Sequence, residues 1–301
     1  MSLASFIRVQ KRDASGNPVL DAAGKPVEGW VVNPVKPHVR GYWLNDPLKA
    51  QIALSAGGSG QFQFLIDSQG HFDWAYIIGE STGPYSLKFY DPGTNHDLQN
   101  KPVNSSLIVG SGQRPFRLPE PYFFNVGDSQ RQLVCDINDL SGSGNTVVLT
   151  LYGRRFYHKE SPPEVAEDIR QKFGMNQRTY SYFLVPKETL SDGSVIPVPG
   201  NGSTSFTLES DASADTEIQK FLAVSTGTFT ARIRERDTDR YLSNDILNSN
   251  EMFGDAEFPF LPADTYLLER QKQLLVEVTD TSGSPNSIYI CAAGRRLQVI
   301  P

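Results

Sequence analysis

Residues 140–156 read "LSGSGNTVVLTLYGRRF", and residues 281–297 read "TSGSPNSIYICAAGRRL". A small polar turn, an apolar run and a terminal Gly-Arg-Arg therefore stand twice in one chain. Working outward from the pair, Gln132-Leu133 matches Gln273-Leu274 and Asp139 matches Asp280, all at one offset of 141 residues. Further upstream the offset becomes 144. There Phe62 meets Phe206, Ser81-Thr82-Gly83 meets Ser225-Thr226-Gly227, Thr94 meets Thr238, Pro115-Phe116 meets Pro259-Phe260 and Tyr122 meets Tyr266. The chain reads as a tandem duplication of a unit of roughly 115 residues, an ordinary domain size.

Alternation within the copies identifies their structure. Leu133, Cys135 and Ile137 alternate with Val134, Asp136 and Asn138, and the second copy keeps the phase with Leu274, Val276 and Val278. Tyr85, Leu87 and Phe89 behave likewise, as do their twins Phe229, Ala231 and Ile233. Period two, in register across both copies, means strands with a fixed inner face. Short strands between Gly, Pro and Asn turns predict an all-β protein of two homologous antiparallel β-sandwich domains, jelly-roll-like. The expected division is an N-terminal arm or hairpin over 1–40, a first sandwich over 41–158, a linker over 159–185 and a second sandwich over 186–301. The arm, with its echo "DASGNPVL" and "DAAGKPVE", is placed to reach a neighbour. Within the linker, "SPPEVAEDIRQKFG" has the cap, early prolines and late Gly of one short helix.

Each half of the repeated sentence invites a site. A phosphate-cradling loop needs a Lys after the glycines and a following helix; here a strand follows, no Lys is present, and Pro285 removes an amide. The Gly/Ser part therefore predicts a hairpin turn. In Gly-Arg-Arg, neighbouring residues on a strand face opposite ways, unless Gly153 or Gly294 hosts a bulge. An inward Arg from Arg154-Arg155 or Arg295-Arg296 requires a carboxylate. Asp139 and Asp280 are expected to supply it, with Arg155 and Arg296 as the positions for a twinned salt bridge; contact between subunits and small-anion binding are the other readings.

Catalysis has no support in the sequence. No His pair has zinc-ligand spacing, His71 and His96 are Asp215 and Arg240 in the second copy, and no Gly-x-Ser-x-Gly elbow occurs. "DPGTNHD" (91–97) offers oxygen atoms for Ca²⁺, but its twin has lost the pattern and a turn is the expectation. No cofactor or metal is expected. Trp74, on one parity with Phe72, Tyr76 and Ile78, is expected in the core, with an interface or sugar-stacking face as alternatives. A net charge of -6, from 28 basic and 34 acidic residues, argues against a nucleic-acid partner. No apolar run approaches a membrane span or a signal core, so synthesis in the cytoplasm and no membrane partner are expected. Cys135 and Cys291 lie in strand-like runs and provide no disulfide framework.

At "PFRLPEPYFF" (115–124) and "PFLPADTYLL" (259–268), followed by the repeated strand and turn, the chain resembles β-sandwich structural proteins of tailed bacteriophages, of the capsid cement or decoration kind. The resemblance implies a non-enzymatic virion protein that holds neighbouring subunits together, with major capsid or other virion proteins as partners and a homo-oligomer as its state. A receptor- or glycan-binding module on a particle surface and a tandem jelly-roll major capsid protein are the alternatives.

Overall fold

The computed structural model describes residues 6–10, 28–32, 42–43, 47–66, 70–124, 132–157 and 179–298. Strands β1 (Phe6–Gln10) and β2 (Glu28–Val32) form an antiparallel ladder within the expected arm. The expected linker helix lies outside the described residues.

Domain 1 consists of two facing sheets. One carries β10 (Phe116–Phe124), β6 (Gly70–Ser81) and β12 (Asn145–Tyr157) side by side; β4 (Leu48–Leu54) and β3 (Tyr42–Trp43) share the far edge of β12. The other has β5 (Ser59–Leu65), β11 (Gln132–Asp139), β7 (Tyr85–Asp91) and β8 (His96–Asp97), with β9 (Val103–Asn104) also on β7. Domain 2 repeats the pattern. Its first sheet runs β13 (Thr179–Leu184), β20 (Ile288–Gln298), β15 (Ala214–Ser225), β18 (Tyr266–Leu268). Its second runs β14 (Ser203–Glu209), β19 (Gln273–Asp280), β16 (Phe229–Glu235), β17 (Leu247–Asn248). All the ladders joining these strands are antiparallel, as the sequence pattern predicts for a sandwich.

The inward parities are those of the sequence. Leu133, Cys135 and Ile137, and Leu274, Val276 and Val278, are buried, as are Tyr85, Leu87 and Phe89 opposite them. Two short helices were not expected from periodicity: α1 (Ser105–Ile108) and α2 (Ser249–Met252), which are twins at the 144 offset. Each is a single turn closed by an Asn before it, so neither is long enough to show a 3.6-residue period.

One boundary moves. β13 pairs along β20 over Thr179–Leu297 to Leu184–Ala292, so residues 179–184 belong to the second sandwich and not to the linker. β13 also carries much of the contact between the domains. The Phe183 amide donates to the Leu98 carbonyl at 2.8 Å, Ser181 bonds both the amide and the carbonyl of Glu120, and the Phe116 and Phe183 rings lie 5.9 Å apart. Lys220 of β15 donates to the Arg117 carbonyl, and Arg114 lies over the Phe258 ring. A continuous core thus passes from one sandwich to the other.

Candidate functional site

The turn half of the repeated sentence is a clamp. Asp139 Oδ1 accepts from the Ser141 amide (3.1 Å), the Ser141 hydroxyl (2.7 Å) and Asn145 Nδ2 (3.1 Å), while Oδ2 accepts from the Gly57 amide at 2.8 Å. Asn145 in turn accepts from the Gly83 amide (3.1 Å) and donates to the Gly83 carbonyl (3.0 Å). Three separate loops are tied to one Asp–Asn pair. The second copy repeats the pattern: Asp280 takes the Asn201 amide, Ser282 and Asn286, and Asn286 takes the Gly227 amide. Gly142 and Gly283 occupy the left-handed region, at φ 67° and 76°, which is why the turn needs glycine there. Burial pushes the Asp139 carboxyl up, but the Ser141, Gly57 and Asn145 donors outweigh it and hold it below the ordinary carboxylate value. Asp280 is held low in the same way.

The other half ends in a bulge and an ion pair. Along β6 and β12 the register slips between Tyr152 and Gly153, leaving Ala75 as the extra residue; along β15 and β20 it slips at Gln219. The bulged backbone leans onto the glycine. A Cβ on Gly153 would stand 2.3 Å from the Asp73 carbonyl oxygen, and one on Gly294 would stand 2.0 Å from that of Glu217. Past the bulge, Arg154 faces Asp73 and Arg295 faces Glu217 across the ladder, with N–O distances of 2.8 and 2.6 Å. A twinned salt bridge exists, but not the expected one. Asp139 and Asp280 belong to the turn at the opposite end of the same strand and are saturated there. Arg155 is buried on the face opposite Arg154, and Arg296 reaches Asp211 (3.3 Å) and the Ser213 hydroxyl (2.9 Å). Arg295 also reaches Glu120 of domain 1 at 3.4 Å, so this pair is an interdomain tie as well.

Trp74 is fully buried; its indole donates to the Tyr76 carbonyl at 2.9 Å and packs on Phe89 at 5.1 Å. It is a core residue, and as an interface or sugar-stacking candidate it is corrected. The 91–97 turn is likewise occupied by its own donors. Asp91 accepts from the Gly93 amide (2.8 Å), the Thr94 hydroxyl (2.9 Å) and the Tyr122 hydroxyl (2.7 Å).

That last set is a second repeated constellation. Asp91, Thr94 and Tyr122 recur as Glu235, Thr238 and Tyr266; Tyr266 donates to Glu235 at 2.6 Å, and Thr238 donates to it as well. In each domain the pair joins a strand of one sheet to a strand of the other. In domain 1 it lies under domain 2: His96 Nδ1 is 3.2 Å from the Tyr122 hydroxyl, and Tyr180 of β13 stacks on His96 at 4.3 Å. Burial pushes the His96 pKa below its ordinary value, and burial with the neighbouring Asp91 pushes the Tyr122 phenol well up. In domain 2 the pair lines an open cleft with Leu268 and Lys272.

On the second sheet of domain 1 runs a shallow polar groove past Gln61, Lys88, Lys101 and Asp136, closed at one end by Ser191 of domain 2. Its polar groups bond to the protein: Gln61 to Asp136, Lys88 to Asp97, and Lys101 to the carbonyls of Lys187 and Thr189. Among the described residues no group of three His, Cys, Asp or Glu could hold a metal, and no helix is long and apolar enough to cross a membrane.

No protein-family model and no curated protein sequence matches the chain. Among solved structures it is similar to a peptide-N(4)-(N-acetyl-β-D-glucosaminyl) asparagine amidase, at 8% identity over 85% of this chain and 97% of that one, with TM-score 0.35. PNGase F from Flavobacterium meningosepticum gives 9%, 85%, 97% and 0.35. The PBSX exported protein XepA gives 10%, 95%, 100% and 0.18. At such scores these likenesses have no bearing on function.

Two features escaped the sequence reading although signals were present. The identities Thr94/Thr238 and Tyr122/Tyr266 were visible, yet nothing in one dimension shows that both hydroxyls meet one carboxylate. The ion-pair partners Asp73 and Glu217 sit at matching positions on a neighbouring strand, and only the register reveals them.

Proposed function

We propose that the chain is a non-enzymatic structural protein of a particle, a capsid-associated cement or decoration protein of a virion, that stabilises neighbouring subunits. The observation that supports this reading is the distribution of apolar surface. Among the described residues, Ile246, Phe258, Phe260, Leu261 and Leu267 are exposed around β17, α2 and β18 of domain 2, with Phe258 also under Arg114 of domain 1, whereas Leu65, Leu190 and Ile196 are exposed elsewhere. A cluster of exposed large apolar side chains marks a contact surface, since isolated ones are common but grouped ones are costly to leave in water. The repeated motifs serve cohesion in this reading: the clamp binds loops, and the arginines bind strand to strand within a sheet and, through Arg295, domain to domain.

Mass spectrometry of purified particles from cells carrying the gene tests the proposal. The chain is expected in the particle at a fixed ratio to the shell protein, and its absence from particles overturns the reading. A copy number equal to that of the shell lattice would identify it instead as the shell protein itself, in line with its tandem sandwiches. Binding to a glycan array with no incorporation into particles would favour the receptor-module alternative.

A further inference from the structure

The two sandwiches end differently at matching strands. In domain 2 the outer edge of β14 is taken. The Lys187 amide donates to the Thr207 carbonyl at 2.9 Å, the Thr207 amide donates to the Glu188 carboxylate at 2.8 Å, and the Lys187 ammonium pairs with Glu209. The chain leaving β13 thus lies along that edge. In domain 1 the matching strand is β5, and it pairs with β11 alone. The Asp139 amide donates to the Gly58 carbonyl, which fixes the phase of this ladder. Hydrogen-bonded pairs alternate along antiparallel strands, so Gly60, Phe62 and Phe64 bond to β11, while Ser59, Gln61, Gln63 and Leu65 turn their amides and carbonyls outward. Thr207 and its twin Gln63 stand in the same phase, yet among the described residues nothing bonds these outward backbone groups of β5.

β5 also lacks the devices that keep a free edge from pairing. Its sequence, SGQFQFL, has no charge and no proline, and its ladder with β11 runs without a register shift. Ser59, Gln61, Gln63 and Leu65 are exposed, Leu65 to 70%. The facing sheet ends on the same side with β4, which pairs with β12 alone and sets Ile52 and Leu54 beside Gly60. Leu48, Ala50 and Ile52 are only partly buried there.

We infer that β5 pairs antiparallel with β5 of a second copy of this chain, across a two-fold axis at Phe62, and so joins the β5–β11–β7–β8 sheets of two chains into one. A row of outward amides and carbonyls is satisfied by another extended strand, and the occupant is the same strand because β5 is complementary to itself. About an axis at Phe62, Gln61 faces Gln63 of the second copy and Ser59 faces its Leu65, each as a hydrogen-bonded pair that exchanges amide and carbonyl. Directly opposed residues share a face, so the glutamines stay outside and Phe62 meets its own counterpart on the core side. No like charges are opposed, since the strand carries none. Each residue of the patch meets its partner reciprocally, which is an isologous contact that closes at two chains. This deepens the structural-protein reading by naming one contact between neighbours, and it does not require the particle.

The test uses two full-length variants, Gln61→Cys and Gln63→Cys, prepared separately, then mixed and oxidised; the native Cys135 and Cys291 are buried. The two positions come within disulfide reach of each other only across the axis, between one variant and the other. A linked dimer is therefore expected in the mixture and in neither variant alone. In sedimentation the unmodified chain is expected to form dimers. Gln63→Pro, which deletes an outward amide and no bond to β11, is expected to weaken association at least about tenfold. Gln63→Thr, which installs the residue that domain 2 has at the twin position, keeps the amide and is expected to leave association intact. A chain that stays monomeric, a mixture that gives no cross-link, an equal cross-link in either variant alone, or full association by Gln63→Pro overturns the inference. A protein that is found in particles but neither associates nor cross-links overturns it and leaves the particle reading standing. One that pairs as described but is absent from particles does the reverse.

Discussion

Asn145 and Asn286 carry more hydrogen bonds than their place in a Gly/Ser turn suggests. Each uses both ends of its amide to hold a loop from a different part of the domain, and each also donates to the turn aspartate. Truncation strands buried donors and acceptors, so Asn145→Ala and Asn286→Ala are each expected to cost about 1–3 kcal/mol in urea unfolding. The two aspartates make a pH prediction. Their folded pKa values lie below the ordinary 3.8, so on acidification the unfolded chain takes up protons first. Their contribution is complete above that value and disappears as pH falls through the folded pKa values. Unfolding midpoints are expected to drop below about pH 4, and the drop is expected to be shallower in Asp139→Asn, which keeps one acceptor but cannot titrate.

At the scale of elements, the bulges opposite Gly153 and Gly294 are what the Gly-Arg-Arg signature encodes. The Asp73 and Glu217 carbonyls beside the bulges are backbone and cannot swing aside, so Gly153→Ala and Gly294→Ala are each expected to destabilise by roughly 1–3 kcal/mol or to straighten the strand. An unchanged denaturation midpoint in both would count against the bulge as the reason for the glycine. Because the bulge rephases the strand, the first Arg of each pair and not the second reaches the cross-strand carboxylate. Arg295 joins Glu217 within its sheet to Glu120 on the other domain. A double-mutant cycle of Arg295→Ala with Glu120→Ala is expected to return a coupling of about 0.2–1 kcal/mol, as for a partly exposed pair; zero coupling removes this tie from the interface.

For the whole molecule, the interdomain packing of Tyr180, Phe183, Leu98 and Phe116 predicts one cooperative thermal transition, with both sandwiches melting together. Twin residues are then expected to differ sharply. Phe116→Ala empties a buried site and is expected to cost about 3–5 kcal/mol, whereas Phe260→Ala, at a partly exposed site, is expected to cost far less in the monomer. His96 adds a second pH dependence. It is a base whose folded pKa lies below 6.5, because burial and the nearby Arg296 disfavour its charge while Asp91 favours it. The unfolded chain therefore binds a proton first as pH falls through 6.5, and stability declines below that point. A His96→Gln variant is expected to show a flatter melting profile between about pH 7 and 5; an unchanged slope would assign the effect to another group.

The amino-acid sequence by itself determined the strand class, the duplication, the inward faces and the turn character of the Gly/Ser segment. Each of these depends on local chain chemistry and on periods that a linear pattern records. Only the tertiary structure decided which Arg meets which carboxylate, that Asp139 and Asp280 serve the turn, that β13 belongs to the second sandwich, and where Trp74 sits. Those facts depend on register and on a one-residue bulge between strands some eighty positions apart. The same limit explains the exposure of Phe260: Phe116 and Phe260 are matching residues that each follow a proline, and what separates them is the neighbour packed against one and not the other.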